Sequence, residues 1–313
     1  MSHHADYNAV LLEYSFLRNY DFDFAPWCRT VVSDTTPSAT NVASQLSEDA
    51  EQINCEMHEL NSCLKYGYGI LENTRTKYAR NEDGTFAYND QNQRFKVTTV
   101  TTPGGEFSEG KRIISALQDI AKYFGTPQRK ERFKTCQTYN NYPTGTPSYN
   151  GDTRVSSIHT LMYSCLFHYF AMKKFADTNE DDEDEDFEFS RIWNRLSDGD
   201  WDSVQEMESA TNHVAKYATC ESQLTSVTAS FTEFLRMKAL DLLDAPQFKV
   251  FKYTQRPKST DKRKDGMVLK SQMRETKDTA DFSEHGMQCL RRTRLQIQKR
   301  FKPQTKEDAL IIF

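Results

Sequence analysis

Glycine is scarce in this sequence, and the scarcity bears on which folds the chain can adopt. Only 12 of the 313 residues are glycine, well below the roughly 7% of an average protein. Doubly wound nucleotide-binding folds use glycine freely, at turns where the backbone approaches a phosphate or takes a positive φ. We therefore expect a helix-rich binding or assembly protein rather than such an enzyme.

Paired cysteines, a targeting segment and a membrane span are missing as well. The seven cysteines are odd in number and none stands in a C-x-x-C pair, so we expect free thiols, a cytosolic setting and no structural metal. The opening residues MSHHADYNAV lack the basic and apolar regions of a signal peptide. No uncharged run reaches the roughly 20 apolar residues that cross a bilayer, which predicts no membrane partner.

The longest apolar stretch runs from Thr153 to Asp177, where apolar residues recur at steps of three and four. This spacing predicts a helix buried on most sides, around which the rest of the chain packs. Residues 74–102 are rich in Thr, Tyr and Phe and predict a three-stranded antiparallel meander. Residues 247–255 and 267–273 flank a basic loop and predict a β-hairpin. The fold class is therefore helix-rich α+β: a central buried helix wrapped by helices, an antiparallel meander and a basic β-hairpin.

Domain organisation is predicted from composition. Residues 1–302 are expected to form a single α+β domain, followed by an arm at 303–313. Three loops interrupt the domain in this prediction, near 126–150, 178–189 and 256–266. The first is polar and holds three of the nine prolines, and the second lies among the nine acidic residues between Asp177 and Glu188.

Residues Gly105–Lys111 have the G-x-x-x-x-G-K spacing of a phosphate-binding loop, with Gly105, Gly110 and Lys111 at its defining positions. The segment also follows a predicted strand and opens a predicted helix. However, two glutamates lie inside the loop, and Arg112 occupies the position where Ser or Thr should reach magnesium. A nucleoside triphosphatase that uses Lys111 is therefore the alternative function, and a plain turn from strand to helix is the alternative structure.

Other catalytic and metal-binding patterns are absent from the sequence. It has no G-x-S-x-G and no H-E-x-x-H, so no catalytic residue is proposed. Cys55, His58 and Cys63 share a predicted helix, but their spacing of three and five does not give a tetrahedral metal site. We expect no cofactor.

Basic residues are concentrated in three elements. Lys249 to Lys302 contains sixteen Lys and Arg against six Asp and Glu, although the whole chain has a net charge of −5. In the meander, cations alternate with aromatic rings, which is the combination that binds single-stranded nucleic acid; the alternative is a solvated charged face. The candidate residues are Arg75, Lys77, Tyr78, Arg94 and Lys96 in the meander, Lys249, Lys252, Lys262, Arg263 and Lys264 in the hairpin, and Arg291, Arg292 and Arg294 in the last helix.

The end of the sequence indicates self-assembly. Pro303 ends the last predicted helix, a polar spacer follows, and Leu310, Ile311, Ile312 and Phe313 then place four large apolar side chains together. Such a segment is an aggregation hazard in water. We expect it to dock on a neighbouring subunit and form a homo-oligomer, the alternative being that it folds back on its own domain.

In length, in its α+β layout with acidic and basic loops, and in its C-terminal arm, the chain resembles the non-structural viroplasm-matrix proteins of plant-infecting reoviruses. The matching positions are Ala309–Phe313 of the arm. The resemblance implies a multimeric protein of the host-cell cytoplasm that binds single-stranded RNA and gathers other viral proteins into inclusion bodies. It also implies that nucleotide hydrolysis accompanies some members of the group. A viral nucleocapsid-like protein and a protein-interaction scaffold are the alternatives.

Overall fold

A computed structural model describes residues 51–147, 156–178, 187–223, 237–253 and 274–301, together with residues 10–11, 14–15, 17–19, 21, 30–33 and 45. Elements are numbered in chain order among these residues. The acidic stretch 179–186, the predicted basic loop 256–266 and the predicted arm 303–313 lie outside them.

Helices dominate the described part of the chain, which confirms the helix-rich α+β class. The helices are α1 (Glu56–Gly67), α2 (Ser108–Tyr123), α3 (Pro127–Tyr139), α4 (Ser156–Phe167), α5 (Tyr169–Thr178), α6 (Phe187–Trp193), α7 (Asp198–Gln223) and α8 (Glu284–Arg300). Residues 237–243 are also helical. The strands are β1 (Thr30–Ser33), β2 (Glu51–Asn54), β3 (Thr74–Tyr78), β4 (Lys96–Val100), β5 (Gln247–Phe251) and β6 (Arg274–Asp278).

The helix at the centre of the fold is α7, not the predicted helix over Thr153–Asp177. One face of α7 is buried from Trp201 through Val214 to Ala218, and the helix packs against α1, α4, α8 and β5. The predicted central stretch instead forms two helices, α4 and α5, that meet at His168. The His168 ring is buried at this junction, with its Nδ1 atom 3.4 Å from Nε2 of Gln137 in α3. Periodicity within residues 153–177 could not reveal this contact, because Gln137 lies outside the stretch.

The loop predicted over 126–150 is a helix in its first half, and this part of the prediction is wrong. Thr126 caps α3 by accepting a hydrogen bond from the Arg129 amide, and Pro127 occupies the first helical position, where its missing N–H costs nothing. Phe133 and Gln137 are the buried residues of this otherwise polar helix. Two anchoring side chains are too few to produce a recognisable apolar stripe, so the sequence suggested a linker.

The strands pair in three separate sheets. β1 pairs with β2 in parallel, β3 with β4 antiparallel and β5 with β6 antiparallel. The predicted meander is confirmed, although its middle strand is reduced to isolated bridges between Arg80 and Phe86 and between Tyr88 and Arg94. The hairpin is also confirmed as the antiparallel pair of β5 and β6. The strand predicted at 267–273 lies outside the described residues, and β6 begins directly after it. Among the described residues, no helix has both the length and the apolar character needed to cross a membrane.

Candidate nucleic-acid interface

A two-stranded projection, which we call the β-arm, runs from Thr74 to Val100. None of its side chains is buried, whereas the residues on either side enter the helical body. At its base, the Thr102 hydroxyl accepts a hydrogen bond from the Asn73 amide at 2.7 Å, and Tyr66 Oη donates to Asn73 Oδ1 at 2.8 Å. The β-arm is therefore fixed at one end and exposed to solvent along its length.

Three backbone segments meet inside the β-arm. The Ala79 amide donates to the Phe95 carbonyl at 2.8 Å, the Phe95 amide to the Ala87 carbonyl at 2.8 Å, and the Ala87 amide to the Ala79 carbonyl at 2.9 Å. Each segment thus donates to one neighbour and accepts from the other. This closed ring of hydrogen bonds strengthens the β-arm, since an isolated two-stranded hairpin is only marginally stable in water.

Two equivalent turns, eight residues apart, connect these segments. The Asn81 amide donates to the Thr85 carbonyl in the first turn, and the Asn89 amide donates to the Gln93 carbonyl in the second, both at 2.8 Å. Each turn places its fourth residue at positive φ, Gly84 at 84° and Asn92 at 57°, which glycine and asparagine tolerate better than other residues. This short repeat of the turn was not apparent in the sequence.

Aromatic rings and cations lie together on the β-arm. The Arg94 guanidinium carbon is 4.2 Å from the centroid of the Phe86 ring and 5.6 Å from that of Tyr78. Tyr88, Phe95 and Tyr78 remain 55%, 51% and 45% exposed. The β-arm carries five Lys and Arg against three Asp and Glu, so it is a basic element of an acidic chain. The predicted residues Arg75, Lys77, Tyr78, Arg94 and Lys96 all lie on this one element, and all are exposed.

An open cavity of about 660 Å³ lies on the β-arm beside the second turn. It falls within the range of roughly 300–1,000 Å³ that is typical of small-ligand sites. Its lining residues are Tyr78, Asn89, Gln93, Arg94, Phe95 and Lys96.

The predicted hairpin cations have partners within the hairpin. Lys249 Nζ donates to the Thr276 hydroxyl across the strand pair at 2.5 Å. Lys252 Nζ lies 2.6 Å from Glu275 Oε2. Lys252 therefore contributes less unpaired charge than its sequence position suggested, whereas Lys249 keeps its charge because its partner is a neutral hydroxyl. The predicted residues Lys262, Arg263 and Lys264 lie outside the described residues.

The arginines of α8 hold the body together, which corrects part of the RNA-binding prediction. Arg292 is completely buried: its Nη2 donates to Glu72 Oε1 at 2.9 Å and its Nε donates to the Tyr66 carbonyl at 2.9 Å. A nucleic acid on the surface cannot reach this guanidinium. Arg294 pairs with Asp244, with 2.9 Å between Nη2 and Oδ2. Exposed Arg291 donates to the Gly104 carbonyl at 3.0 Å.

The geometry around Gly105, Gly110 and Lys111 is not that of a phosphate-binding loop. The strand before it, β4, is antiparallel to its partner, whereas such a loop belongs to a parallel sheet. A Cβ atom on Gly110 would lie 2.6 Å from the Tyr68 carbonyl oxygen, so this glycine serves close packing. The Phe107 amide, which could face a phosphate, donates to Glu72 Oε1 at 3.2 Å. Lys111 is exposed on the first turn of α2, as the alternative of a strand-to-helix turn predicts.

A buried carboxylate on α7 is a strongly perturbed ionisable group that sequence reasoning missed. Glu208 is fully buried, and Arg274 donates to both of its oxygens, at 2.8 and 2.6 Å. His159 Nε2 lies 3.1 Å from Glu208 Oε1. Burial alone would raise the pKa of Glu208, but the neighbouring His159 and Arg274 outweigh it and lower the pKa to about 2. Through Glu208, Arg274 ties β6 and His159 ties α4 to the central helix.

A second buried carboxylate, Glu206, lies two residues before Glu208 on the same helix. Lys277 Nζ is 2.6 Å from Glu206 Oε1, and the Ser283 amide donates to Glu206 Oε2 at 2.9 Å. Ser283 in turn caps α8 by accepting a hydrogen bond from the Gly286 amide at 3.1 Å. Both clusters are structural ion pairs between distant segments. The sequence around Glu206 and Glu208 looks polar, so nothing in it indicated that these two acids are buried in ion pairs.

Cys55, Cys63, Cys136, Cys165 and Cys289 are free thiols, and three of them are buried. Burial raises the pKa of Cys289 to about 12, and it also raises the pKa values of Cys63 and Cys165. These thiols are therefore protonated and unreactive at neutral pH. No group of three or more His, Cys, Asp or Glu residues is placed to hold a metal ion within the described ranges.

No protein-family model, curated protein or solved structure matches this chain.

Proposed function

We propose that the protein binds single-stranded RNA through the β-arm. One observation carries the proposal: an element with no buried side chain displays cations and half-exposed aromatic rings together. Large apolar side chains that lie exposed in a group usually mark an interaction surface. A polyanion with flat bases fits both the charge and the rings.

The chemistry of the β-arm suits an unpaired strand. Arg75, Lys77 and Lys96 are exposed at positions that can neutralise phosphates. Tyr88 and Phe95 offer ring faces on which unstacked bases can stack, a contact worth about 1–3 kcal/mol per base. Bases within a duplex are already stacked and paired, so these rings would gain little from double-stranded RNA.

Edge-to-edge pairing of two β-arms is the competing use of this surface. Open strand edges are templates for pairing with another chain. However, paired strands lie about 5 Å apart, so Arg75, Lys77 and Lys96 of two copies would approach within the Debye length of about 10 Å. The repulsion between these cations favours an anionic partner.

We test the proposal with a charge-reversal variant and a matched control. Arg75, Lys77 and Lys96 are changed together to glutamate. The control is the triple glutamate variant of Lys130, Lys173 and Lys238, which are exposed lysines on α3, α5 and the helical residues 237–243. Both variants change the net charge by the same amount.

The β-arm variant should lose at least about tenfold in affinity for a fluorescein-labelled single-stranded RNA. The slope of log K against log [salt] should fall by about 2, because each cation on a single strand contributes about 0.7. The control should keep most of its affinity, and both variants should keep their melting temperature, since exposed substitutions change stability little. Equal losses in the two variants, or an unchanged β-arm variant, would refute the proposal.

The wider role that we propose is that of a self-assembling viral non-structural protein, the matrix of cytoplasmic inclusion bodies. It is supported by the apolar segment Leu310–Phe313 after its polar spacer and by the resemblance described above. The mass of the protein in solution tests the assembly, and microscopy of cells that express the chain with and without residues 304–313 tests whether it forms inclusions.

A further inference from the structure

The cavity beside the second turn of the β-arm contains more hydrogen-bond donors than acceptors. Asn89 Oδ1 accepts from the backbone amides of Gln91 at 3.1 Å and Gln93 at 2.8 Å. A carbonyl oxygen has two lone pairs, so both are used within the turn. Asn89 can therefore offer a ligand its Nδ2 amide hydrogens.

Two further lining residues can only donate. Arg94 and Lys96 carry guanidinium and ammonium groups, which have no acceptor. Gln93 and Tyr78 can each supply one acceptor, and both lie at the same cavity. The polar edge of a ligand in this cavity thus faces mainly N–H groups, while Tyr78 and Phe95 provide ring surface.

We propose that this cavity holds one unstacked RNA base and prefers bases with a carbonyl oxygen at C4 of the pyrimidine or C6 of the purine, uracil and guanine, over cytosine and adenine. The proposal rests on the RNA-binding function proposed for the β-arm. Uracil O4 and guanine O6 accept hydrogen bonds from the Asn89 amide or from Lys96. Cytosine and adenine place an exocyclic amino group at the same position, and this donor would face another donor.

The preference is measured with two pyrimidine oligonucleotides, so that ring size and stacking are matched. Labelled ten-nucleotide oligo(U) and oligo(C) RNA are titrated with the full chain at one ionic strength, and binding is followed by fluorescence anisotropy. We expect about fivefold tighter binding of oligo(U), the selectivity that one hydrogen bond provides.

Asn89→Asp is the decisive variant. An aspartate keeps an oxygen that can accept from the Gln91 and Gln93 amides, so the turn is retained. It replaces the Nδ2 donor with a second acceptor, so the preference for oligo(U) should disappear or reverse towards oligo(C). Thermal unfolding checks that the variant is folded.

The repeat within the β-arm supplies a matched control. Asn81 occupies the equivalent position in the first turn, where its Nδ2 donates to the Thr85 hydroxyl at 3.0 Å, and it does not line the cavity. Asn81→Asp adds the same negative charge to the same element. This variant should weaken the binding of oligo(U) and oligo(C) to a similar degree and leave the ratio of the two affinities unchanged.

Three outcomes overturn the inference. Wild-type affinities for oligo(U) and oligo(C) within about twofold show that no base edge is read, and equal shifts of the ratio in the two variants show that charge alone acts. After either of these two results, RNA binding that still depends on Arg75, Lys77 and Lys96 would leave the proposed function standing, and only the base preference would fail. If the wild-type protein binds neither oligonucleotide, the proposed function fails and the preference fails with it.

Discussion

Arg292 provides the sharpest test of how the fold uses its basic residues, because sequence and structure assign it different roles. We consider Arg292→Met, which keeps part of the side-chain volume and removes the charge. The substitution deletes the hydrogen bonds from Arg292 to Glu72 and to the Tyr66 and Gly105 carbonyls. Glu72, whose side chain is 20% exposed, would lose its cation in a site that water reaches poorly.

The expected loss of stability follows from these contacts. Removing one partner of a buried ion pair costs about 3–5 kcal/mol, because the other charge remains desolvated. The Tyr66 and Gly105 carbonyls also lose a hydrogen bond, which adds to the cost wherever no water replaces the guanidinium. We therefore expect the apparent free energy of unfolding, measured by urea titration, to fall by about 3–5 kcal/mol.

Arg291→Met is the matched control on the same helix. Arg291 is exposed and donates one hydrogen bond, to the Gly104 carbonyl, so its loss should cost less than about 1 kcal/mol. In addition, Glu72→Gln combined with Arg292→Met should cost less than the sum of the two single changes, since they break the same pair. The reasoning is refuted if Arg292→Met leaves stability within about 1 kcal/mol of wild type and weakens RNA binding more than Arg291→Met.

Three further outcomes are expected. The pKa of Glu208 is about 2 against an ordinary value of 4.5, so it contributes about 3 kcal/mol that is present above pH 4.5 and lost as the pH falls towards 2. Glu208→Gln should lower stability at pH 7 and flatten this acid-dependent loss in urea titrations from pH 2 to 7. Gly110→Ala should cost about 1–3 kcal/mol by overpacking, while Lys111→Ala should leave stability unchanged; nucleotide hydrolysis that disappears in Lys111→Ala would contradict our interpretation of this turn. Deleting Gln304–Phe313 should lower the mass measured by light scattering while circular dichroism keeps the helical signal, and an unchanged mass would exclude this segment as a link between subunits.

Local patterns in the sequence were sufficient for several elements. The amphipathic helix α2 and the last helix α8 were predicted, because apolar residues at helical spacing signal a buried face wherever its partner lies. The meander was also predicted, and with it the group of Arg75, Lys77, Tyr78, Arg94 and Lys96. Those residues share one element because they are close in the chain, so no knowledge of tertiary contacts was needed.

Other features depended on contacts between residues distant in the chain. Arg292 is a buried anchor because Glu72, 220 positions earlier, lies against α8. Glu208 is ionised inside the core because Arg274 of β6 reaches it. A charged residue in a polar stretch has the same local pattern whether it points to solvent or to a buried partner, so the sequence placed Arg292 among the exposed cations.

The chain by itself determined the class of fold and the composition of the β-arm, because helical periodicity, strand alternation and turn residues act over a few neighbouring positions. The tertiary structure decided which helix lies at the centre, which cations remain exposed and how Asn89 uses its oxygen. The physical reason is that burial and pairing depend on which distant segments meet. The centre of the fold is therefore α7 and not the apolar stretch 153–177. The buried charged residues of α7 are neutralised by partners that are distant in the sequence and come close only in the folded chain.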